Sequence, residues 1–191
     1  MSELLYKNIS DRIDISCEEV DKFKSYFKSD KVKKKRHLFT SGEICKYMYF
    51  VEKGLLREYY LDEKGEDITI QFGFEEHWVG DLYSYFSGEK SNLNVEALED
   101  TQFLYLARDD FERALLSIPK LERFFRLLIQ KAYVTTQQRL ARIFTEDAAE
   151  RYYNLVKRRP DIISRVPQYH IASFLGIKPQ SLSRIRKTAT I

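Results

Sequence analysis

Residues 166–187 read VPQYHIASFLGIKPQSLSRIRK. Pro167 suits the first turn of a helix, because the N–H group that proline lacks would have no partner there. Ile171, Phe174 and Leu175 follow at i, i+3 and i+4, which is the spacing of one apolar helix face. The first half of this stretch therefore predicts a short helix with one buried face.

A second helix is predicted directly after the first. Gly176 stands where the chain leaves the first helix, a position that often needs positive φ. Pro179 then suits a new helix start, and Leu182 and Ile185 would anchor that helix. The residues predicted on its outward side are Gln180, Ser181, Arg184 and Lys187. The whole stretch predicts a helix-turn-helix, whose polar, basic second helix fits the DNA major groove.

Positive charge is concentrated in the same part of the chain. Residues 151–191 hold nine Lys and Arg residues and one acid, Asp161, which gives them a net charge of +8. The whole chain carries +3, which leaves −5 for residues 1–150. An ordinary helical hairpin with a solvated basic face is the alternative, since such hairpins are common. The charge asymmetry favours phosphate binding, and hence DNA binding.

The composition is that of a globular protein. The chain has 191 residues, enough for one large or two small domains, and 43% of them are apolar. The first fifteen residues mix charged and apolar side chains, so we expect no signal peptide. No apolar run approaches the length of a membrane span. We therefore expect a cytoplasmic protein with no membrane partner.

Few residues indicate enzymatic or metal chemistry. Cys17 and Cys45 form no close-spaced metal or redox motif and are interpreted as reduced thiols. The histidines His37, His77 and His170 lie far apart and are interpreted as local hydrogen-bonding residues. The sequence contains no Gly-rich phosphate loop, HExxH or GxSxG pattern. We therefore predict that the protein is not an enzyme and holds no metal.

The middle of the chain is predicted to be β-structure. Six of the seven glycines lie within residues 37–107, between short β-prone segments. The predicted strands are residues 47–51, 55–61, 67–73, 94–98 and 101–106. Short strands at near-regular spacing indicate an antiparallel sandwich or barrel. A helix over residues 17–29, capped by Ser16, is predicted to precede them.

Helical patterning follows. Asp109 or Asp110 is predicted to cap a short helix that ends near Pro119. Apolar residues then recur from 121 to 144, a stripe longer than the average globular helix. Such a stripe packs either on the chain's own sheet or along another long helix, and a dimer helix is at least as well supported.

Another helix is predicted after this stripe. Residues 145–147, Thr-Glu-Asp, supply a cap and an acidic first turn. Pro160 is predicted to stop the helix. We therefore place a domain boundary at residues 144–146.

This order of elements resembles the cyclic-AMP receptor protein (Crp/Fnr) family of bacterial transcription regulators. The resemblance covers nearly the whole chain. The segments that carry it are FVEKG (50–54), WVGDL (78–82), VEALED (95–100) and the helix-turn-helix. The helix-turn-helix itself looks like the Bacteroidetes branch. The resemblance implies an α+β fold: an N-terminal antiparallel β-roll like a cyclic-nucleotide-binding jelly roll, a long dimerisation helix and a C-terminal helix-turn-helix domain.

The resemblance also implies an effector site in the β-roll. The family holds a cyclic nucleotide with a Gly-Glu pair on the ribose and an Arg-Ser pair on the phosphate. The pairs here are Gly80-Asp81, with a shorter acid, and Lys90-Ser91, without the planar fork of arginine. A cyclic nucleotide is therefore disfavoured as cofactor, and the aromatic residues of the roll enclose another small ligand or form a solid core. The candidate effector contacts are Gly80, Asp81, Leu82, Lys90, Ser91, Thr135 and Thr136.

The family reads DNA with the N-terminal and outward residues of the second helix. The candidate DNA contacts here are Gln168, Lys178, Pro179, Gln180, Ser181, Arg184 and Lys187. Arg184 can pair with guanine and Gln180 with adenine. Too few residues follow Lys187 for the strands of the family's wing, so we expect fewer backbone contacts.

We therefore expect a homodimeric regulator that binds a near-palindromic DNA site. The expected divisions are a β-roll sensor domain (1–117), a dimerisation helix (118–144) and a helix-turn-helix domain without a full wing (145–191). The expected partners are double-stranded DNA and a second copy, with RNA polymerase as a further candidate. The alternative is a small-ligand-binding module whose helix-turn-helix is vestigial or binds protein.

Overall fold

The computed structural model describes residues 3–188. The helices of this part are α1 (Glu3–Ser10), α2 (Cys17–Lys24), α3 (Leu82–Ser87), α4 (Arg108–Ser117), α5 (Lys120–Thr145), α6 (Ala148–Arg158), α7 (Ile162–Arg165), α8 (Gln168–Leu175) and α9 (Pro179–Thr188). The strands are β1 (Lys28–Val32), β2 (His37–Phe39), β3 (Tyr47–Lys53), β4 (Leu56–Leu61), β5 (Asp67–Gly73), β6 (Trp78–Val79), β7 (Asn94–Ala97) and β8 (Thr101–Ala107).

The strands form two antiparallel sheets, with strand orders β1-β8-β3-β6 and β2-β7-β4-β5. One apolar cluster joins both sheets, because it contains Val51 and Phe103 from the first and Leu56 and Val95 from the second. Inward side chains from facing sheets make such a core. The antiparallel β-roll of the predicted α+β fold is thus confirmed.

The turn between β3 and β4 requires glycine. Gly54 has a φ of +102°, and a Cβ there would lie 2.7 Å from the carbonyl oxygen of Asp100. The next amide, of Leu55, donates to the hydroxyl of Thr101 at 3.0 Å. Glycine therefore lets this turn lie against the start of β8 and aligns the two sheets.

A second apolar cluster covers the outside of the first sheet. It contains Leu5 and Ile9 of α1, Phe23 of α2, and Phe50 and Leu104 of the sheet. The start of α5 joins it through its buried residues, Leu121, Phe124 and Phe125. The rest of α5 extends beyond this core. The long helix predicted over the apolar stripe is confirmed.

The C-terminal helices pack against the outside of the roll near the second sheet. One apolar cluster joins Phe72 of β5 to Ile171 and Leu175 of α8 and Leu182 of α9. At the edge of that sheet the Thr69 amide donates to Ser173 Oγ at 2.8 Å, and the Ser173 hydroxyl donates to the Asp67 carbonyl at 2.7 Å. The helix-turn-helix is therefore docked on the β-roll of its own chain.

The predicted end of α2 and the predicted start of α4 differ from the structure. The helix predicted over residues 17–29 ends at Lys24, because the chain turns there to enter β1 at Lys28. Ser16 is the N-cap, as predicted, and it forms a capping box with Glu19. The N-cap of α4 is Ala107. Asp109 and Asp110 lie in its first turn, where their charges favour the helix dipole.

The boundary after α5 also differs by a few residues. Thr145 ends α5, and Asp147 alone caps α6, through a capping box with Glu150. Pro167 occupies the N-cap of α8 and does not lie inside its first turn. Elements with few apolar residues or very short length were not predicted at all; they are α1, β1, β2, β6 and α7.

Candidate DNA-reading surface and effector cavity

The helix-turn-helix has a tight turn and a buried inner face. Gly176 ends α8 with a φ of +68°, and its N–H bonds the carbonyls of Ala172 and Ser173. Pro179 then opens α9, and Leu182 is fully buried under it. These contacts fix the inner side of α9, so that its other side faces outward.

All of the candidate DNA contacts are exposed. They are Gln168 at the start of α8, Lys178 just before α9, and Pro179, Gln180, Ser181, Arg184 and Lys187 on α9. Neither Arg184 nor Lys187 forms an ion pair within residues 3–188. Their charges are therefore free to meet an anionic partner.

Arg165 ties α7 to the roll. Its guanidinium donates to Glu75 at 2.8 Å, to Glu99 at 2.7 Å and to the Gly54 carbonyl at 3.1 Å. Burial alone would raise the pKa of Glu75, but the hydrogen bonds from Arg165 and from backbone amides outweigh it and lower the pKa to about 2. The carboxylates of the roll are thus charged partners of the C-terminal domain.

A second polar contact links α8 to the roll through Arg57 of β4. Arg57 lies 2.7 Å from Glu96 (Nε–Oε1), contacts Asp67, and donates to Nδ1 of His170. Burial, and then the charge of Arg57, lowers the pKa of His170 to about 4. His170 is therefore neutral near pH 7, with its proton on Nε2, 3.7 Å from Glu96.

The long helix reaches both the roll and the helix-turn-helix through Arg139. The β4–β5 register passes from Glu58 opposite Gln71 to Tyr59 opposite Thr69, so Ile70 is the extra residue of a β-bulge. The Arg139 guanidinium donates to the Ile70 carbonyl and lies 4.9 Å from the ring centre of Phe174 on α8. Arg139 therefore connects α5, β5 and α8.

A cavity of about 850 Å³ lies between the roll, α5 and the C-terminal helices. Its volume is that of a small-molecule site. Its walls include Phe72, Trp78, Leu82 and Phe86 from the roll and Thr135 and Thr136 from α5. Some aromatic residues of the roll thus lie in its core, and others line this cavity.

One acidic side chain also lines the cavity. Glu58 of β4 is only 4% exposed and accepts a hydrogen bond from the Gly80 amide at 2.8 Å. Burial, opposed by that bond and helped by the charge of Asp81, raises the pKa of Glu58 to about 7. An acid of this kind is half protonated near neutral pH and can bind a donor strongly.

Comparison with known proteins agrees with this architecture. Residues 29–117 match the model of the cyclic nucleotide-binding domain family. The chain is 23% identical to the cyclic AMP receptor protein of Thermus thermophilus over 175 residues, which are 90% of this chain and 81% of that protein. Over most of its length the chain is thus similar to Crp/Fnr regulators.

Solved structures of Crp/Fnr proteins share the fold. FixK2 of Bradyrhizobium japonicum superposes with a TM-score of 0.73 at 18% identity, over 84% of this chain and 83% of that one. The c-di-GMP-responsive regulator CLP of Xanthomonas campestris gives 0.72 at 12% identity, over 90% of each chain. These neighbours share the fold of this chain, including the roll, the long helix and the C-terminal helices.

The residues of this chain do not fit the cyclic nucleotide that the matched domain family implies. Asp81 accepts from the Tyr83 and Ser84 amides and from the Ser91 hydroxyl at 2.7 Å. Ser91 is fully buried, and its hydroxyl already donates a hydrogen bond to Asp81. Lys90 is exposed and, like Asp81 and Ser91, does not line the cavity. A phosphate bound beside Ser91 would lack the planar arginine fork of the family's clamp.

The predicted effector contacts are thus split. Gly80, Leu82, Thr135 and Thr136 line the cavity, whereas Asp81, Lys90 and Ser91 lie outside it. The roles of four residues were not predicted from the sequence: Glu58, Arg57, Arg139 and Arg165. The sequence contains one indication of Arg57 and Glu58. Residues 55–61 read LLREYYL, so one charged residue falls on each face of this strand, although its inner face is expected to be apolar.

The other polar candidates have local partners. His37 Nε2 lies 2.9 Å from the Tyr59 hydroxyl, and His77 Nδ1 lies 3.1 Å from the Glu75 carbonyl. Cys17 and Cys45 are free thiols. Between residues 3 and 188 no cluster of metal-ligating side chains occurs, and no helix is long and apolar enough to cross a membrane.

Proposed function

We propose that this protein is a cytoplasmic, sequence-specific DNA-binding transcription regulator of the Crp/Fnr type. The observation that carries the proposal is the exposed basic face of α9 on a folded helix-turn-helix. Arg184 would read a base edge and Lys187 would contact a phosphate. The named relatives are regulators, which supports the same conclusion.

The proposed active form is a homodimer joined along α5. Ile129, Tyr133, Leu140 and Ile143 are exposed and repeat at spacings of four, seven and three residues. This is the seam of a coiled coil. A two-fold protein would place two copies of α9 on a near-palindromic site.

The proposed sensor is the β-roll, with an effector other than cyclic AMP. Residues of α5 and Phe174 of α8 line the cavity. A ligand there would therefore contact the dimer helix and the DNA-binding domain at the same time. Its binding would shift the population between two dimer geometries. We retain residues 1–117, 118–144 and 145–191 as sensor, dimer helix and DNA-binding domain, and RNA polymerase as a proposed partner.

Selection from a random duplex pool tests this function. The purified protein without added ligand is used at low and at physiological salt. Enrichment of a two-fold symmetric site would support a sequence-specific dimer. Failure to bind any duplex, together with tight binding of a small molecule, would favour the alternative of a ligand-binding module.

A further inference from the structure

Glu58 occupies a position that the fold would normally give to an apolar residue. Side chains alternate along a strand, so Glu58 shares the inner face of β4 with Leu56, which lies in the apolar core of the roll. The neighbouring Arg57 points to the opposite face, where it contacts His170. The carboxyl group of Glu58 thus faces the interior, and Arg57 does not compensate its charge.

The hydrogen-bonding capacity of this carboxyl group is only partly used. Oε1 accepts from the Gly80 amide. In the described range 3–188, Oε2 receives no hydrogen bond and the group forms no ion pair. The opposite residue on β5, Gln71, also lines the cavity, but its amide donates to the Trp78 carbonyl at 3.3 Å. Oε2 is not one of the fully buried polar atoms without a partner, so this acceptor is open to a donor that enters the cavity.

The cations around the cavity are engaged elsewhere. Arg12 donates to the Asn8 carbonyl, and Arg139 donates to the Ile70 carbonyl. Arg159 lies 3.8 Å from the ring centre of Phe74. The remaining cation, Lys131, is on the exposed side of α5. The polar group that a ligand meets beside Gly80 is therefore an acceptor, and the surrounding walls are aromatic.

We propose that this cavity binds an apolar small molecule that carries an amine or hydroxyl group, and that Glu58 accepts the hydrogen bond of that group. A cyclic phosphate beside Gly80 would meet this acid instead of the arginine of the family's clamp. This ligand class rests on the proposed sensor function of the β-roll. Glu58 selects the polar head of the ligand, while Phe72 and Trp78 contact its apolar body.

Matched probes test the proposal on the full chain. 1-Adamantanemethylamine, 1-adamantanemethanol and 1-adamantanecarboxylate share one apolar cage and differ in the head group. Trp78 is the sole tryptophan of the chain and lines the cavity, so its fluorescence reports binding, with calorimetry as a second readout. We expect the amine and the alcohol to bind at least about tenfold more tightly than the carboxylate, which is what one charge-assisted hydrogen bond supplies.

Two variants identify the residue responsible. Glu58→Gln keeps an acceptor for the Gly80 amide and removes the charge, and should weaken binding of the amine by about tenfold while sparing the carboxylate. Glu63→Gln removes an exposed carboxylate from the β4–β5 turn and should change neither. The unmodified protein already discriminates among the probes if Glu58→Gln fails to fold.

Several results would overturn the ligand class. They are equal or tighter binding of the carboxylate, saturable binding of cyclic AMP that Ser91→Ala weakens, and no binding of any probe up to about 1 mM. The duplex selection on the same preparation separates the two proposals. A selected DNA site without probe binding removes only the ligand class, whereas probe binding without any DNA binding removes the regulator.

Discussion

Arg165 compensates the carboxylates of Glu75 and Glu99 at the contact between the roll and the C-terminal helices. We expect Arg165→Ala to lower the free energy of unfolding by about 2 kcal/mol, because Glu75 and Glu99 lose their cation while partly buried. Urea unfolding at neutral pH measures the change. Arg158→Ala, on the exposed end of α6, is the matched control. An equally small effect of both substitutions would contradict this role.

His170 should make stability depend on pH. Its pKa is about 4 in the folded protein and 6.5 in an unfolded chain. As pH falls from 6.5 to 4, His170 binds a proton in the unfolded chain but stays neutral in the folded protein. The free energy of unfolding therefore falls by about 2–3 kcal/mol. Above pH 6.5 this contribution is constant.

Urea unfolding across pH 4–7.5 measures that loss. His170→Gln removes this titration and should abolish a loss of about 2–3 kcal/mol over this range. His77, whose pKa is lowered by burial, and Glu58, whose pKa of about 7 adds stability as pH falls, give both proteins a common slope. Below pH 4.5, protonation of Glu75 adds a second loss, which His170→Gln leaves in place. Parallel curves for the two proteins would show that His170 is not held neutral.

Arg184 and Lys187 should affect DNA binding in different ways. Arg184→Ala should cost about 1–3 kcal/mol at one base position of each half-site and relax the preference there. Lys187→Ala should weaken binding on every sequence and reduce the salt slope by about 1. Selection experiments and salt titrations distinguish them. Unchanged base preference in the first variant, or an unchanged slope in the second, would remove the assigned contact.

The positions of these two residues could be read from the sequence, because Gly176, Pro179 and Leu182 fix a local pattern. Their contacts with DNA stay predictions. Glu58 and Arg57 could not be assigned in the same way. Their roles depend on which face of β4 meets the cavity and which meets the docked α8, and sequence periodicity gives only the alternation.

At the scale of elements, α5 is the part of the molecule with an unpaired apolar face. We expect Leu140→Asp to raise the dimer dissociation constant by about a thousandfold, since each of two copies loses about 2 kcal/mol of apolar contact. Sedimentation at several concentrations measures it. Gln138→Asp, exposed on the same helix, should leave the dimer intact. A monomeric unmodified protein, or a dimeric Leu140→Asp variant, would exclude α5 as the seam.

The elements found from sequence are those with strong local signals. The polar residues 145–147 before α6 and the glycine after α8 mark helix ends, and the apolar stripe of α5 marks a long helix face. The missed elements lack such signals: β1 reads KSDKV and is held by its pairing with β8. The helix-turn-helix resemblance to the Bacteroidetes branch rests on sequence alone and stays a prediction.

At the scale of the whole molecule, Arg139 links the cavity wall to the reading domain. We expect Arg139→Met to accelerate amide hydrogen exchange in α8 about tenfold, because a hydrogen bond to the Ile70 bulge and a contact with Phe174 are lost. Exchange in β3 should not change. Arg123→Met, exposed on the same helix, is the control. Uniform acceleration throughout the chain would indicate general destabilisation and no specific link.

The bonds from Ser173 to Asp67 and Thr69 have a consequence for how the reading domain can move. β5 is the last strand of its sheet, and α8 covers backbone groups there that would otherwise be unpaired. If the DNA-binding domain separated completely from the roll, β5 would be exposed to pairing with strands of other molecules. Exposed edge strands are a recognised cause of aggregation. The change of dimer geometry that we propose for effector binding is therefore best achieved by sliding of α8 along β5, with the strand covered throughout.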